Sequence, residues 1–308
     1  MSDLHGAVDD YLTLRRSLGH KLERHNRLLH DFVEFLHGRE TTTITTTLAV
    51  EWATMPAEAQ PDWWATRLGV VRVFAKHHQA TDPATEVPPA DVFPAHSRRA
   101  EPFIYTDTQI RALLAAADKI HTPLKAATYG TLIGLLAVTG MRVGEAIRLD
   151  RTDFDPDSGV LTIRDTKFGK TRRIPLHPST TDALVAYSQL RDTTLSTKRC
   201  EALFVSTVGT RLFYENVHPN FQRLTRDAGI TARSERCRPR IHCLRHTFAV
   251  VTLTGWYRDG LNIDSRVHLL STYLGHTEPS STYWYLEATP ELLGFAADRL
   301  DTAAGVLS

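Results

Sequence analysis

The chain has 308 residues, of which 42% are hydrophobic and 23% are charged. This length predicts about two domains of roughly 150 residues each, both with enough apolar side chains for a core. The 36 Lys and Arg residues almost balance 35 Asp and Glu residues, so the net charge of +1 gives no overall attraction to nucleic acid. Three cysteines are too few for a disulfide framework, and neither a signal peptide nor a membrane-length apolar run is evident. Composition therefore predicts a soluble cytoplasmic protein and excludes a disulfide-stapled secreted domain.

A small helical bundle is predicted at the N-terminus. Apolar residues recur at helical spacing from Val8 to Leu14, from Leu28 to Leu36 and from Trp63 to Phe74. Between the last two runs, Thr47 is predicted to cap a short helix that carries Trp52. Four short helices without a strand signal are typical of a small bundle.

A proline-rich segment follows the predicted bundle. Five prolines lie between residues 83 and 102, and proline restricts both itself and the preceding residue, so this segment is predicted to be a semi-extended linker. Thr106 and Gln109 form a capping box that opens the next helix. We therefore expect a first domain over residues 1–82 and a second domain over residues 103–308.

The second domain is predicted to be mostly helical with a small sheet. The apolar stretch Ala126–Met141 indicates a buried helix. Val160–Arg164 and Arg173–Leu176 are typical of a β-hairpin, and Leu203–Ser206 is predicted to add a third strand. Further helices are expected over residues 215–228, 242–253 and 265–274. The predicted fold class is mainly α with a small β-sheet, a helical domain followed by an α+β domain.

Five short stretches concentrate residue types that act on phosphate. Two guanidiniums can each bind non-bridging phosphate oxygens and stabilise the charge of a pentavalent transition state. A tyrosine can be the nucleophile, a lysine can protonate the leaving oxygen, and histidines can donate to phosphate or carry a proton. Taken singly, each stretch is a weak signal, because an arginine at the start of a helix is most often a surface charge or a cap and a lysine in a turn is usually only solvated. The stretches are Thr139–Glu145, Lys167–Lys170, His242–His246, Leu274–His276 and Tyr283–Tyr285.

Together and in this order, the stretches resemble the catalytic motifs of the tyrosine recombinases, also called phage integrases. TGMRVGEAIRL resembles the first arginine box of that family, and HCLRHTFA resembles the second. LGH, followed nine positions after its histidine by Tyr285, resembles the third box with its nucleophile. The resemblance spans nearly the whole chain, and implies an N-terminal helical core-binding (SAM-like) domain, a linker and a catalytic tyrosine-recombinase domain.

The resemblance also implies roles for the matching positions. Arg142 and Arg245 would clamp the scissile phosphate, with Glu145 bracing Arg142. Tyr285 would attack the phosphate and hold the DNA 3′-phosphate, without a metal, a nucleotide or any other cofactor. The remaining implied residues are His242 as general base or phosphate donor, His276 as a phosphate ligand and Lys167 as the acid for the 5′-hydroxyl.

Three alternatives stay open within this assignment. Tyr283 is a rival nucleophile to Tyr285, and Lys170 is a rival acid to Lys167. Cys243 stands where the family usually has an aspartate. A zinc site from Cys237, His242, Cys243 and His246 is disfavoured, because their spacing lacks the paired geometry of structural zinc sites.

Positive charge is concentrated locally in spite of the neutral total. Clusters of this density are typical of phosphate-binding faces, where affinity comes from counterion release, although a charge run can also be a solvated face. Arg15, Arg16, Lys21, Arg24 and Arg27 give the first domain a weaker basic pattern. The DNA-binding candidates in the second domain are Lys170, Arg172 and Arg173 at the hairpin, and Arg223, Arg226, Arg236, Arg238 and Arg240 before His242.

We therefore interpret the chain as a site-specific DNA recombinase, possessed by a transposon or another mobile element and associated with the nucleoid. The implied partners are double-stranded recombination sites and a homo-tetramer on two DNA sites, with or without companion recombinases. Residues 290–300 would pack on their own domain or dock on a neighbouring protomer. A type IB topoisomerase and a non-catalytic DNA-binding regulator of the same fold are the two alternatives.

Overall fold

The computed structural model describes residues 4–20, 22–93, 101–164, 171–195, 200–275, 280–287 and 294. The chain divides into two compact units, Met1–Arg99 and Ala100–Ser308. The described residues are mostly helical, with one three-stranded antiparallel sheet among them. The predicted fold class is confirmed. Within the described ranges, no helix combines the length and the apolar character needed to cross a membrane.

The first unit is the expected helical bundle. Its aromatic residues form much of the core, since Phe32, Trp52 and Phe74 are all almost completely buried. The Arg67 Cζ lies 3.7 Å from the centroid of the Trp52 ring, and Arg67 Nη2 donates to the Trp52 carbonyl oxygen. The ring and the carbonyl oxygen together stabilise the buried guanidinium. The helices are α1 (Leu4–Ser17), α2 (Glu23–His37), α3 (Thr46–Thr54) and α4 (Pro61–His78).

The N-cap of α3 is not the predicted residue. Thr45 has extended backbone angles, and its Oγ1 accepts a hydrogen bond from the Leu48 backbone N–H. Thr47 instead lies inside the first turn. The run of threonines offers several chemically equal caps, and the core position of Ile44, which is fully buried, fixes which one is used. The prediction of Thr47 as the cap was wrong by two residues.

The proline-rich segment returns to the first unit after α4. Arg72 donates to the carbonyl oxygens of Pro88 at 2.8 Å and Pro89 at 2.7 Å. The Glu86 backbone N–H donates to the Ile44 carbonyl oxygen. The described part of this segment, up to residue 93, therefore packs on the first unit through backbone acceptors that proline retains.

The helices of the second unit surround α6 (Pro123–Thr139), which is the buried helix expected from the apolar stretch. Leu132 and Ile133 are fully buried on it, and Thr106 and Gln109 form the predicted capping box of α5 (Asp107–Asp118). The other helices are α7 (Val143–Ala146), α8 (Pro178–Thr194), α9 (Tyr214–Asp227), α10 (Cys243–Arg258), α11 (Val267–Leu274) and α12 (Ser280–Tyr283), with 3-10 turns at Arg151–Asp153 and Trp284–Glu287.

The sheet contains the predicted hairpin but a different third strand. Its order is β1 (Phe154–Asp155), β2 (Val160–Ile163) and β3 (Arg172–Pro175), all antiparallel, with Leu161 paired to Ile174. The segment Leu203–Ser206 makes one isolated bridge, from Val205 to Arg211, and Ala202 just before it makes another to Asp150. The prediction of a strand there was wrong, because this run is apolar for burial in the core. Instead of a strand ladder, the Leu203 N–H donates to the Leu149 carbonyl oxygen and the Val205 N–H donates to the Tyr187 hydroxyl.

Candidate active site

The first arginine motif begins where α6 ends. Gly140 closes the helix with φ of +60°, and a Cβ at this position would lie 2.5 Å from the Phe248 ring. Only glycine fits both the backbone angle and the close approach. Arg142 follows at the start of α7, where its Nη1 donates to Glu145 Oε1 at 2.9 Å and its backbone N–H donates to Glu145 Oε2 at 2.9 Å.

Arg245 connects three motifs that are far apart in the sequence. It lies in the first turn of α10 and is 2% exposed. Its Nη1 donates to the Gly140 carbonyl oxygen and its Nη2 to that of Leu274, both at 2.9 Å. Arg142 Nη2 donates in turn to the Gly275 carbonyl oxygen at 3.3 Å. Both arginines are therefore held by backbone acceptors of glycine-containing turns.

The two guanidiniums form a positive site with one nearby carboxylate. Burial, and then the positive charge of Arg142, lower the pKa of Arg245 to about 10, which still leaves it charged at neutral pH. The Arg142 side chain is 39% exposed, whereas that of Glu145 is 3% exposed. Arg142 therefore presents its charge to solvent, in a geometry suited to an anionic phosphodiester.

Tyr285 is the tyrosine that reaches this site. It lies in the final 3-10 turn, is 3% exposed, and accepts a hydrogen bond from the Arg245 guanidinium on its hydroxyl. Tyr283, two residues earlier, is 46% exposed. A two-residue offset turns the side chains in different directions on a helical turn, and burial separates the two candidate nucleophiles.

His246 packs against Tyr285, and His242 packs against His246. The His246 ring lies 4.8 Å from the His242 ring and 5.5 Å from the Tyr285 ring, measured between centroids. It also makes an edge contact with Trp284. Sequence reasoning gave His246 no part in the reaction, although it lies one residue beyond Arg245 and so at the same end of α10. In the structure its ring contacts both His242 and Tyr285.

The surroundings of His242 keep its imidazole neutral. Burial of the imidazole, followed by the positive charges of Arg245 and Arg142, lowers the pKa of His242 below its ordinary value. A neutral imidazole accepts a proton, and protonation at lower pH would remove that ability.

We expect the kcat/KM of DNA cleavage to stay constant as pH falls through about 6.5 and to decrease only at lower pH. The measurement is cleavage rate against pH at subsaturating DNA; His242→Ala should lack this decrease, and a midpoint at or above the ordinary histidine value would contradict the assignment.

The zinc alternative gains no support from the cysteine positions. The Cys237 thiol points to the Pro102 carbonyl oxygen, and the Cys243 thiol points to that of Arg238. Burial raises the pKa of both thiols, which disfavours the thiolates that zinc binds. In the part of the chain that the structure describes, no three metal-ligating side chains converge.

Arg172 does not lie with the DNA-facing side chains expected of the hairpin. Its Nη2 donates to Glu145 Oε2 at 2.8 Å and its Nη1 to Glu145 Oε1 at 3.2 Å, and its side chain is 13% exposed. Alternation along β3 gives the reason: Arg172 shares a face with buried Ile174, while Arg173 is on the opposite, exposed face. Arg172 was predicted to contact DNA, and the structure shows its guanidinium paired with Glu145. The period-two pattern around Ile174 is the sequence signal for this placement.

The arginines that precede His242 lie on the surface. All five candidates from Arg223 to Arg240 are exposed. Arg226, Arg238 and Arg240 line a surface pocket of about 530 Å³, together with Glu235. Arg240 is also fixed through its carbonyl oxygen, which accepts a hydrogen bond from the Tyr105 hydroxyl. Their exposure fits the expected phosphate-binding face.

Several candidate residues lie outside the described residues. They are Lys167 and Lys170 between β2 and β3, His276 directly after Gly275, and residues 290–300 apart from Gly294. The sequence places Lys167 five positions before Arg172, and His276 next to the carbonyl that Arg142 binds.

The chain is similar in sequence and in fold to known integrases and recombinases. Residues 104–291 match the model of the phage integrase family. The integrase/recombinase y4rB of Sinorhizobium fredii is 42% identical over 98% of both chains. The structure of the Tn1549 transposon integrase with transposon right end DNA covers 98% of this chain and 99% of that one, with 16% identity and a TM-score of 0.65. A lambda integrase tetramer bound to a Holliday junction covers 92% and 76%, with 21% identity and a TM-score of 0.60.

Proposed function

Because the chain belongs to the phage integrase family, we propose that it is a site-specific DNA recombinase that acts through a covalent 3′-phosphotyrosine intermediate. The observation that carries the proposal is the meeting of Arg142, Arg245 and Tyr285 at one site. Two charged guanidiniums beside a tyrosine hydroxyl provide a nucleophile and the charge stabilisation for phosphoryl transfer. A protein that only binds DNA has no use for this combination.

The reaction follows from these residues. The Tyr285 oxygen attacks phosphorus and loses its proton to His242, while the bond from phosphorus to the 5′-oxygen breaks. Lys167 donates a proton to that leaving oxygen, and His276 supports the phosphate. A 5′-hydroxyl of another strand then attacks the phosphotyrosine and gives its proton to Lys167, while the bond from phosphorus to the Tyr285 oxygen breaks and His242 returns the proton to that oxygen. The DNA phosphodiester is thereby restored and the tyrosine is released. One phosphodiester is exchanged for another, so the step needs no ATP, and the guanidiniums stabilise the charge that a metal would otherwise stabilise.

The same proposal assigns the domains and partners. Residues 1–82 form a core-binding DNA-binding domain, residues 83–102 a linker and residues 103–308 the catalytic domain. Four copies act on two DNA sites through a Holliday junction, with or without companion recombinases, to integrate, excise or transpose a mobile element on the nucleoid. The lambda integrase tetramer on a Holliday junction and the Tn1549 transposon integrase support this assembly and this role.

The direct test is the covalent intermediate itself. The protein is incubated with nicked duplexes that carry the ends of its native element, in buffer with EDTA and without nucleotide. After denaturation in SDS, we expect a protein–DNA adduct linked to a DNA 3′-phosphate. DNA with scrambled ends is the control. An adduct that requires a divalent metal or ATP would contradict the mechanism, and the absence of an adduct on every native site would favour a non-catalytic regulator.

A further inference from the structure

The carboxylate of Glu145 is shared by two arginines. Arg142, at the start of α7, donates to one carboxylate oxygen through its guanidinium and to the other through its backbone N–H. Arg172, on β3, donates to both oxygens through its guanidinium. Glu145 is almost completely buried, whereas the two arginines differ: the Arg172 side chain is 13% exposed and that of Arg142 is 39% exposed. Of the two arginines that pair with this carboxylate, Arg142 is therefore the one that is open to solvent.

Arg172 also packs on the turn that receives Arg142. A Cβ on Gly275 would lie 2.6 Å from Arg172 Nη1 and 3.0 Å from its Cζ, so the guanidinium lies directly against the glycine backbone. The carbonyl oxygen of this same Gly275 accepts the hydrogen bond from Arg142 Nη2. Arg172 therefore contacts both groups that hold the Arg142 side chain, Glu145 and Gly275.

The charges explain why two arginines are needed. A buried carboxylate must be paired, and a single cation that pairs with it has less charge to offer a second anion. Burial alone would raise the pKa of Glu145, but the hydrogen bonds and charge of Arg172, then those of Arg142, lower it. With Arg172 neutralising Glu145, the Arg142 guanidinium keeps its net positive charge for the DNA phosphate.

We propose that Arg172 is a positioning residue, which neutralises and orients Glu145 so that Arg142 can bind and stabilise the scissile phosphate. The inference rests on the proposed recombinase function and adds a residue to it. It is carried by the shared carboxylate and by the packing of Arg172 on Gly275. Arg172 itself does not touch the DNA.

The test compares Arg172→Ala with a matched control on two substrates. Arg164→Ala removes another arginine that pairs with a buried carboxylate, that of Asp153. Arg164 directly follows β2, the strand that pairs with β3. One substrate has the natural scissile phosphodiester. The other has a methylphosphonate there, in which an uncharged methyl group replaces one non-bridging oxygen. Single-turnover adduct formation is measured for both, with Arg142→Ala as the reference for loss of phosphate stabilisation.

We expect Arg172→Ala to slow cleavage of the phosphodiester by about 100-fold, because a small displacement of a positioned group has effects of this size. On the methylphosphonate, the fold decrease in the rate of adduct formation relative to wild type should be smaller for Arg172→Ala, as it should be for Arg142→Ala. The reason is that this substrate has less negative charge for Arg142 to stabilise. Arg164→Ala should cleave both substrates at nearly the wild-type rate. Arg172→Lys keeps the charge without the forked geometry and should be intermediate.

A merely structural role would give a different pattern. An equal fold decrease in cleavage rate on both substrates would overturn the inference, as would wild-type cleavage by Arg172→Ala.

A second experiment combines Arg172→Ala with Glu145→Gln, which removes the carboxylate charge. We expect the double variant to cleave as fast as Glu145→Gln alone, and a full additional decrease in rate would contradict action through Glu145. If Arg172→Ala does not fold, Arg172→Lys and Arg172→Gln provide the same comparison. Wild-type protein that forms no adduct on any native site would overturn the proposed function and this inference with it, whereas an active wild type with an unaffected Arg172→Ala overturns the inference alone.

Discussion

Replacing Tyr285 with phenylalanine should abolish the covalent protein–DNA adduct while DNA binding is retained. The substitution removes one oxygen from a side chain that is 3% exposed and leaves its ring contacts with His246 and Trp284 in place. The fold should therefore persist, because ring packing accounts for most of the burial energy of a tyrosine. The measurements are adduct yield after SDS denaturation and DNA affinity by gel shift.

Tyr283→Phe is the matched control. Tyr283 is 46% exposed, so loss of its hydroxyl should change neither the adduct yield nor the unfolding temperature. If the adduct persists in Tyr285→Phe and disappears in Tyr283→Phe, the nucleophile is Tyr283. If Tyr285→Phe loses DNA binding along with the adduct, the hydroxyl has a role in binding that the mechanism does not include.

Replacement of Arg142 or Arg245 with alanine should slow DNA cleavage strongly, but only Arg245→Ala should also destabilise the protein. Arg142→Ala and Arg245→Ala each delete a charged donor to the transition state, and we expect about 100- to 1000-fold slower adduct formation for each. Arg245→Ala also leaves the carbonyl oxygens of Gly140 and Leu274 without their donor, at a cost of about 1–3 kcal/mol for each buried acceptor. Arg142 is partly exposed, and Glu145 keeps Arg172 as its partner.

Single-turnover cleavage and urea unfolding of both variants separate these effects. Arg142→Ala should unfold at nearly the wild-type urea concentration, and Arg245→Ala should unfold at a clearly lower one. Equal stability of the two variants would show that the Arg245 hydrogen bonds to the two turns contribute little. Wild-type cleavage rates in either variant would contradict its place in the phosphate clamp.

Much of the fold could be predicted from apolar spacing. The helix over Pro123–Thr139 and the β2–β3 hairpin follow from patterns that burial itself produces. The strand expected at Leu203–Ser206 shows the limit, because a short apolar run looks the same whether it pairs in a sheet or lies in a core. Thr45 shows another limit, since neighbouring threonines have equal capping chemistry and tertiary packing selects among them.

The motifs that contain Arg142, Arg245 and Tyr285 could be recognised in the sequence, while the hydrogen-bond partners of these residues could not. Arg142, Arg245 and Tyr285 stand in recognisable motifs, and the structure brings them together. The sequence could not show that Arg245 binds the carbonyl oxygens of Gly140 and Leu274, because backbone acceptors carry no sequence signal of their own. Arg172 was assigned to the DNA face because it lies in a run of cations; its contact with Glu145 depends on which side of β3 it occupies.

The two roles of Arg245 also limit how this protein can lose its activity in evolution. Under the proposed mechanism, a substitution of Arg245 should destabilise the folded state and slow the reaction, whereas Tyr285→Phe should leave the fold intact. We therefore expect descendants that have become pure DNA-binding proteins to retain the buried arginine and to lose the tyrosine. The same asymmetry guides engineering: an inactive but intact DNA-binding form of this chain is best made at the nucleophile.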